Sequence, residues 1–176
     1  MLGHMLPLAL LAALGCGLSA GAFFAFSSFV APALEQLAPR DGIVAMQSIN
    51  RLAVTPLFMT ALFGTAILCL ALVIWAALAW NRRPSRWIVP AGAVFLIGSI
   101  GVTIAANIPR NDAIDQLDPQ LAASAVQWSS YLSEWTAFNH VRTVAALVAA
   151  ALFTLALRTG DGRPSLLAAG SRDGGR

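Results

Sequence analysis

No charged residue occurs between Met5 and Leu34. The stretch exceeds the ~20 apolar residues that cross a hydrocarbon core, and a single segment in lipid can pair all its own N–H and C=O groups only as a helix. Similar charge-free runs extend from Leu52 to Asn81 and from Trp87 to Pro109, and a shorter one from Thr143 to Leu157. Of the 176 residues, 58% are hydrophobic and 11% charged, where a soluble domain carries about 25% charged. With a mean hydropathy of +0.73, most of the chain belongs in a membrane.

These runs predict an all-α integral membrane four-helix bundle, with a long fourth helix and a short interfacial helix in the first loop. The expected helices are about 7–30, 55–80, 87–108 and 119–158, within a transmembrane domain of residues 1–158. Residues 159–176, rich in Gly, Ser, Arg and Asp, are expected to form a disordered cytoplasmic tail. Between the first two runs, Ile43, Met46, Ile49 and Ala53 recur at near-helical spacing behind Asp41, the expected N-cap of the interfacial helix. In the fourth helix Asp118 is the expected cap and Pro119 fits the first turn. Its length of about 60 Å at 1.5 Å per residue requires the 120–136 portion to project from the bilayer or bend back. The four-residue spacing of Ala13, Gly17, Gly21 and Ala25 predicts a close-packing face, and Gly98, Gly101 and Ala105 are expected as further small contacts.

All 11 basic residues are arginine, against 8 acids. Seven of them (Arg82, Arg83, Arg86, Arg158, Arg163, Arg172, Arg176) fall on one side of the expected topology and four (Arg40, Arg51, Arg110, Arg142) on the other. The positive-inside rule then places both termini in the cytoplasm of a multi-pass cell-membrane protein. No basic patch with interleaved aromatics exists, so nucleic acid is not an expected partner. The expected partners are the lipid bilayer and a small apolar or aromatic substrate, with a homo-oligomer left open. Cys16 and Cys69 lie within apolar runs, without a CxxC, and read as buried small hydrophobes. Ala13-Leu14-Gly15-Cys16 resembles a lipoprotein cleavage box but has no Lys or Arg before it, so lipidation is not expected. Walker, GxGxxG, HxxxH and ExxH patterns are missing, and the GxSxG match at Gly17-Leu18-Ser19-Ala20-Gly21 lies in the middle of an apolar run, without the strand-to-helix turn that such a nucleophile needs; neither a cofactor nor a metal is expected.

The chemistry-bearing residues gather in the fourth helix. At about 100° per residue, Trp128, Tyr131, Trp135, Asn139 and Arg142 fall within an arc of about 80°, with Glu134 and His140 off it on opposite flanks. Three rings with an amide and a guanidinium suit a flat aromatic ligand bearing oxygens. The alternative is an interfacial aromatic belt with Arg142 snorkelling into headgroups. A carboxylate such as Glu35, or a ligand, would offset the cost of an inward Arg142. His140 is open to a structural or a catalytic reading.

Several short segments together resemble the anthrone oxygenase-like family of small four-helix membrane proteins, long catalogued as a domain of unknown function. They are Gly21-Ala22-Phe23-Phe24-Ala25-Phe26-Ser27 with Pro32 and Leu34, Met46-Gln47-Ser48-Ile49-Asn50, Asn107-Ile108-Pro109-Arg110-Asn111, and Trp128, Tyr131, Trp135, Asn139, Arg142 and Thr143, in that order over residues 11–157. The resemblance implies a cofactor-independent monooxygenase that oxidises anthrones or other aromatic polyketide-like substrates. Such chemistry needs a base, donors to a phenolate-like oxygen and apolar walls. On this reading His140 is the candidate base, Arg142, Asn139 and Asn107 are the oxyanion donors, and Trp128, Tyr131, Trp135 and Phe24 form the walls, with Asn111 and Asn50 as further substrate contacts. The alternative is a non-catalytic, membrane-embedded ligand-binding or assembly protein. A permeation protein ranks last, because the first three helices carry no ionisable group in their interiors.

Overall fold

The computed structural model describes residues 2–160; most of the expected tail lies outside them. Five helices carry the fold. Helix α1 (Met5–Glu35) crosses first, the amphipathic α2 (Pro39–Ala53) follows it, and α3 (Pro56–Leu78), α4 (Ser85–Asp115) and α5 (Ala122–Thr159) complete a bundle of four helices long and apolar enough to cross a membrane. The described residues contain no strand. The fold is the expected all-α four-helix bundle with a short additional helix in its first loop.

Helices α1 and α4 run past the prolines that were expected to end them. A π-helical segment, Phe26–Val30, precedes Pro32, and another, Thr103–Asn107, precedes Pro109. A π turn pairs each N–H one residue further back, and this wider register carries the chain past a residue that cannot donate. The capping expectations also change. Helix α2 starts on Ala38 and Pro39, which leaves Asp41 in the first turn, where its charge favours the helix dipole. Asp118 instead stabilises the turn before α5, accepting from Gln120 N at 2.9 Å through Oδ1 and from Ser124 Oγ at 2.7 Å through its carbonyl.

Two cores divide the bundle along its axis. One packs Cys16, Cys69, Leu72, Phe95 and Phe153, with small alanines of α1 and α5, and holds the end where α1 begins and α5 finishes. Its close approaches occur at glycines: an added Cβ would lie 2.2 Å from Thr65 Oγ1 at Gly15, 2.4 Å from Val73 Cγ2 at Gly92 and 2.6 Å from Ala145 Cβ at Gly98. Gly17 and Gly21 do not take part, since a Cβ there meets nothing within 4 Å among the described residues. Nor do Gly101, whose nearest such atom is its own helix's Leu96 O, and the exposed Ala105. Cys16 and Cys69 are free and buried, as expected, with their sulfurs 4.0 Å apart.

The second core joins Ala31 and Leu34 of α1, Ile43 and Met46 of α2, Ile114 of α4 and Trp128, Tyr131, Leu132 and Trp135 of α5. The first half of α5 thus projects without bending back, and the loop elements clothe it. Gln47 ties α2 down by donating to the carbonyls of Ile114 and Leu117 at 2.9 and 3.0 Å. Gly42 admits the Trp128 indole, whose Cζ2 would lie 2.7 Å from an added Cβ.

Candidate functional site

Arg142 lies between the two cores and is only 6% exposed. Its Nη1 donates to Thr103 Oγ1 at 3.1 Å and its Nη2 to Asn139 Oδ1. Asn139, with no exposed surface, in turn donates to Phe23 O and Ser27 Oγ, both at 2.6 Å. The guanidinium is therefore anchored to α1 through Asn139 and to α4 through Thr103. Ring faces hold its plane, with Phe23 at 4.3 Å and Trp135 at 5.4 Å from centroid to Cζ. Two charge-assisted hydrogen bonds worth about 1.5–3 kcal/mol each offset the about 2.5–3.5 kcal/mol cost of an arginine deep in a membrane helix.

That arrangement leaves a charge in hand. Among the described residues the only salt bridge is Arg110–Glu134, at 2.7 Å, so no carboxylate balances Arg142, and its buried Nε has no partner. Glu35 is exposed and contributes nothing to it. Burial also rules out the belt arrangement, in which Arg142 would reach the headgroups.

The guanidinium lines a cavity of ≈ 200 Å³, larger than the ~150 Å³ apolar cavity that takes up benzene. Phe23 and Phe26 from α1, Met46 and Ile49 from α2, Phe58 and Leu62 from α3, and Trp135 from α5 supply its apolar walls. Thr103, Asn111 and Asn50 add polar points. Tyr131 Oη and Trp135 Nε1 both donate to Asn111 Oδ1, at 3.1 and 2.8 Å. The Asn111 amide is thereby oriented, and its NH2 remains available to donate. Asn50 Nδ2 donates to Asp115 Oδ1 at 3.2 Å. Asn107 is buried beside the cavity, donating to Trp135 O at 3.3 Å while its Oδ1 stays unpartnered.

The site residues expected from sequence therefore separate. Arg142, Asn111, Trp135 and Asn50 line the cavity, while Asn139, Tyr131 and Asn107 sit behind it and orient its lining. Trp128 is spent on packing against Gly42 and stacking with Tyr131 at 5.7 Å. Phe24 is 60% exposed and points away, and its neighbours Phe23 and Phe26 take the wall positions. His140 is exposed and lines an outer groove with Glu35, Ser133 and Thr136. Sequence reasoning missed Ser27, Thr103 and the α3 wall of Phe58 and Leu62. Ser27 closes one of the segments that carry the family resemblance but was given no role, and Thr103 carried no signal beyond being a hydroxyl in an apolar helix, where an interhelical partner is the usual reason for one.

Phe26, Leu62 and Thr103 all stand in π-helical segments, of α1, α3 and α4 in turn, and α4 carries a second one, Phe95–Gly101, in the packed core. Such segments concentrate at functional sites because they re-aim side chains and free carbonyls. Among the described residues no group of three His, Cys, Asp or Glu is placed to hold a metal ion.

A family model described as anthrone oxygenase matches residues 57–152. The chain belongs to the anthrone oxygenase family. No curated protein and no solved structure matches it. The region shared with the anthrone oxygenase family takes in α3, α4 and α5 up to Leu152, and with them Asn107, Asn111, Trp135, Asn139 and Arg142. The α1 and α2 walls of the cavity, including Phe23, Phe26 and Asn50, stand outside it.

Proposed function

We propose that this protein is a cofactor-independent oxygenase acting on an anthrone-like aromatic within the membrane, and that Arg142 is its central catalytic residue. The observation that carries the reading is a buried arginine with no balancing carboxylate among the described residues, facing an apolar cavity. Such a group stabilises negative charge that develops on a substrate oxygen, and in a low-dielectric site that stabilisation is large.

An anthrone carries a methylene group acidified by the ring carbonyl. Arg142 donates to that oxygen as the methylene loses a proton, and the Asn111 NH2 is a second donor at the same end of the cavity. The proton passes to water at the cavity mouth, because His140 lies on another face and Arg142 is the only ionisable side chain lining the cavity. The resulting anion is electron-rich enough to give an electron to O2. Recombination of the radical with superoxide forms a C–O bond, giving a hydroperoxide; the carbon then loses its second hydrogen as a proton while the O–O bond breaks, leaving one oxygen as the new carbonyl and the other in water with the two protons taken from the methylene. Phe23, Phe26 and Trp135 hold the ring system.

The cell membrane with both termini cytoplasmic is the location we propose, supported by the seven-to-four arginine split; a C-terminal reporter active only outside the cytoplasm should stay silent. Purified protein in liposomes should consume O2 and form quinone when given anthrone, and Arg142→Lys, which keeps the charge and loses the planar fork, should not. The lack of any further acid or base in the cavity lining favours a second reading, a non-catalytic binding protein. Saturable anthrone binding without O2 uptake would establish that reading instead.

A further inference from the structure

The first turn of α3 is a weakly packed part of the cavity wall. None of Pro56–Met59 is buried, and Leu57 is 84% exposed. Directly behind this turn, between α3 and α1, lies a second apolar groove of ≈ 310 Å³ on the flank of the bundle. Groove and cavity share four residues, Ala22 and Phe23 of α1 and Phe58 and Leu62 of α3. The partition between them is thus two side chains thick: Phe58, partly exposed on the weakly packed turn, and Leu62, buried in the π-helical Thr60–Gly64 that follows.

Of the groove's own residues, Leu18, Ser19, Leu57 and Ala61 belong to two helices of membrane-crossing length and composition, and Thr55 immediately precedes the second, so the groove opens towards lipid. Just before the groove's Thr55, the end of α2 exposes Leu52, and Val54 beyond it is exposed and lines the cavity itself; together they form the apolar edge of an amphipathic helix of the kind that lies in the headgroup boundary. A planar aromatic with a few oxygens concentrates at that same depth.

We infer that the cavity is loaded sideways from the bilayer, through the α1–α3 groove, with Phe58 as the swinging partition. This rests on the reading of the cavity as a substrate site. It makes the substrate class a lipid-partitioned planar aromatic, and the groove a vestibule that such a molecule occupies before it meets Arg142. Elements that open in this way come from the weakly packed end of a fold, and the first turn of α3 is such an element.

The test uses the protein in liposomes and reads the Trp135-dependent part of the fluorescence, taken as the difference from Trp135→Phe. A nitroxide-bearing alkane dissolved in the lipid probes the route without any substrate, and anthrone probes the site. Ala61→Phe fills the groove without entering the cavity. It should cut quenching by the lipid-dissolved nitroxide and slow anthrone association at least fivefold, leaving equilibrium anthrone affinity within twofold. Phe58→Ala, which thins the partition, should raise both rates. Because the two variants move the readout in opposite directions, loss of folding cannot imitate the pair. If nitroxide quenching ignores both variants, or a water-soluble nitroxide reaches Trp135 just as well, sideways loading is wrong. If quenching follows the variants but anthrone does not bind, loading stands and the anthrone reading fails.

Discussion

The same four helices build two unlike ends. Around Cys16, Cys69, Phe95 and Phe153 the helices meet through glycine, alanine and sulfur, with an added Cβ 2.2–2.6 Å from its neighbour at Gly15, Gly92 and Gly98. Around Arg142 they separate enough for a cavity of ≈ 200 Å³; π-helical backbone occurs at both ends, since the longest such segment, Phe95–Gly101, lies in the packed core, while α5 stays α-helical throughout. The comparison shows how a small membrane protein makes a site without a separate domain. One end is packed tightly enough to fix the helices, which permits a cavity and a buried charge at the other.

Substitutions at the two ends should therefore register in different measurements. The largest effect is expected at the open end: Arg142→Lys should lower the rate of anthrone oxidation, followed as O2 uptake, by about 10²–10³, the cost of losing one preorganised oxyanion donor. Next comes the packed end, where Gly92→Ala sets a Cβ against Val73 Cγ2 at 2.4 Å and the Cys69 carbonyl at 3.1 Å. Overpacking of that kind costs about 1–3 kcal/mol, and thermal unfolding in detergent should show it while the residual folded protein keeps its activity. Ser27→Ala removes one of the two acceptors of Asn139. A loss of about 0.5–1.5 kcal/mol is expected, together with a drop in kcat, because Asn139 holds the guanidinium. The smallest effect tests the outward stripe. Gly21→Ala meets nothing within 4 Å and should stay within about 0.5 kcal/mol of the parent protein. A larger loss would show that a second molecule packs on this face.

The sequence by itself determined the fold class and the aromatic and polar stripe of α5. Charge-free runs longer than a bilayer leave helices as the solution for each segment, and the recurrence of Trp128, Tyr131, Trp135, Asn139 and Arg142 on one side of a helix marks a face that must be buried or interfacial. Only the tertiary structure decided which of those it was, because Arg142 is held by Thr103, 39 residues away, and Asn139 by Ser27, 112 residues away. Spacing within one helix carries no information on such partners. The same holds for the glycines, since a GxxxG spacing shows where a helix could approach and not where it does: Gly17 and Gly21 have the pattern and no neighbour, and Gly92 and Gly98 have the neighbours. Phe23, Phe24 and Phe26 are chemically equal in sequence. Which of them becomes a cavity wall depends on helix rotation, fixed by how α1 packs against α5.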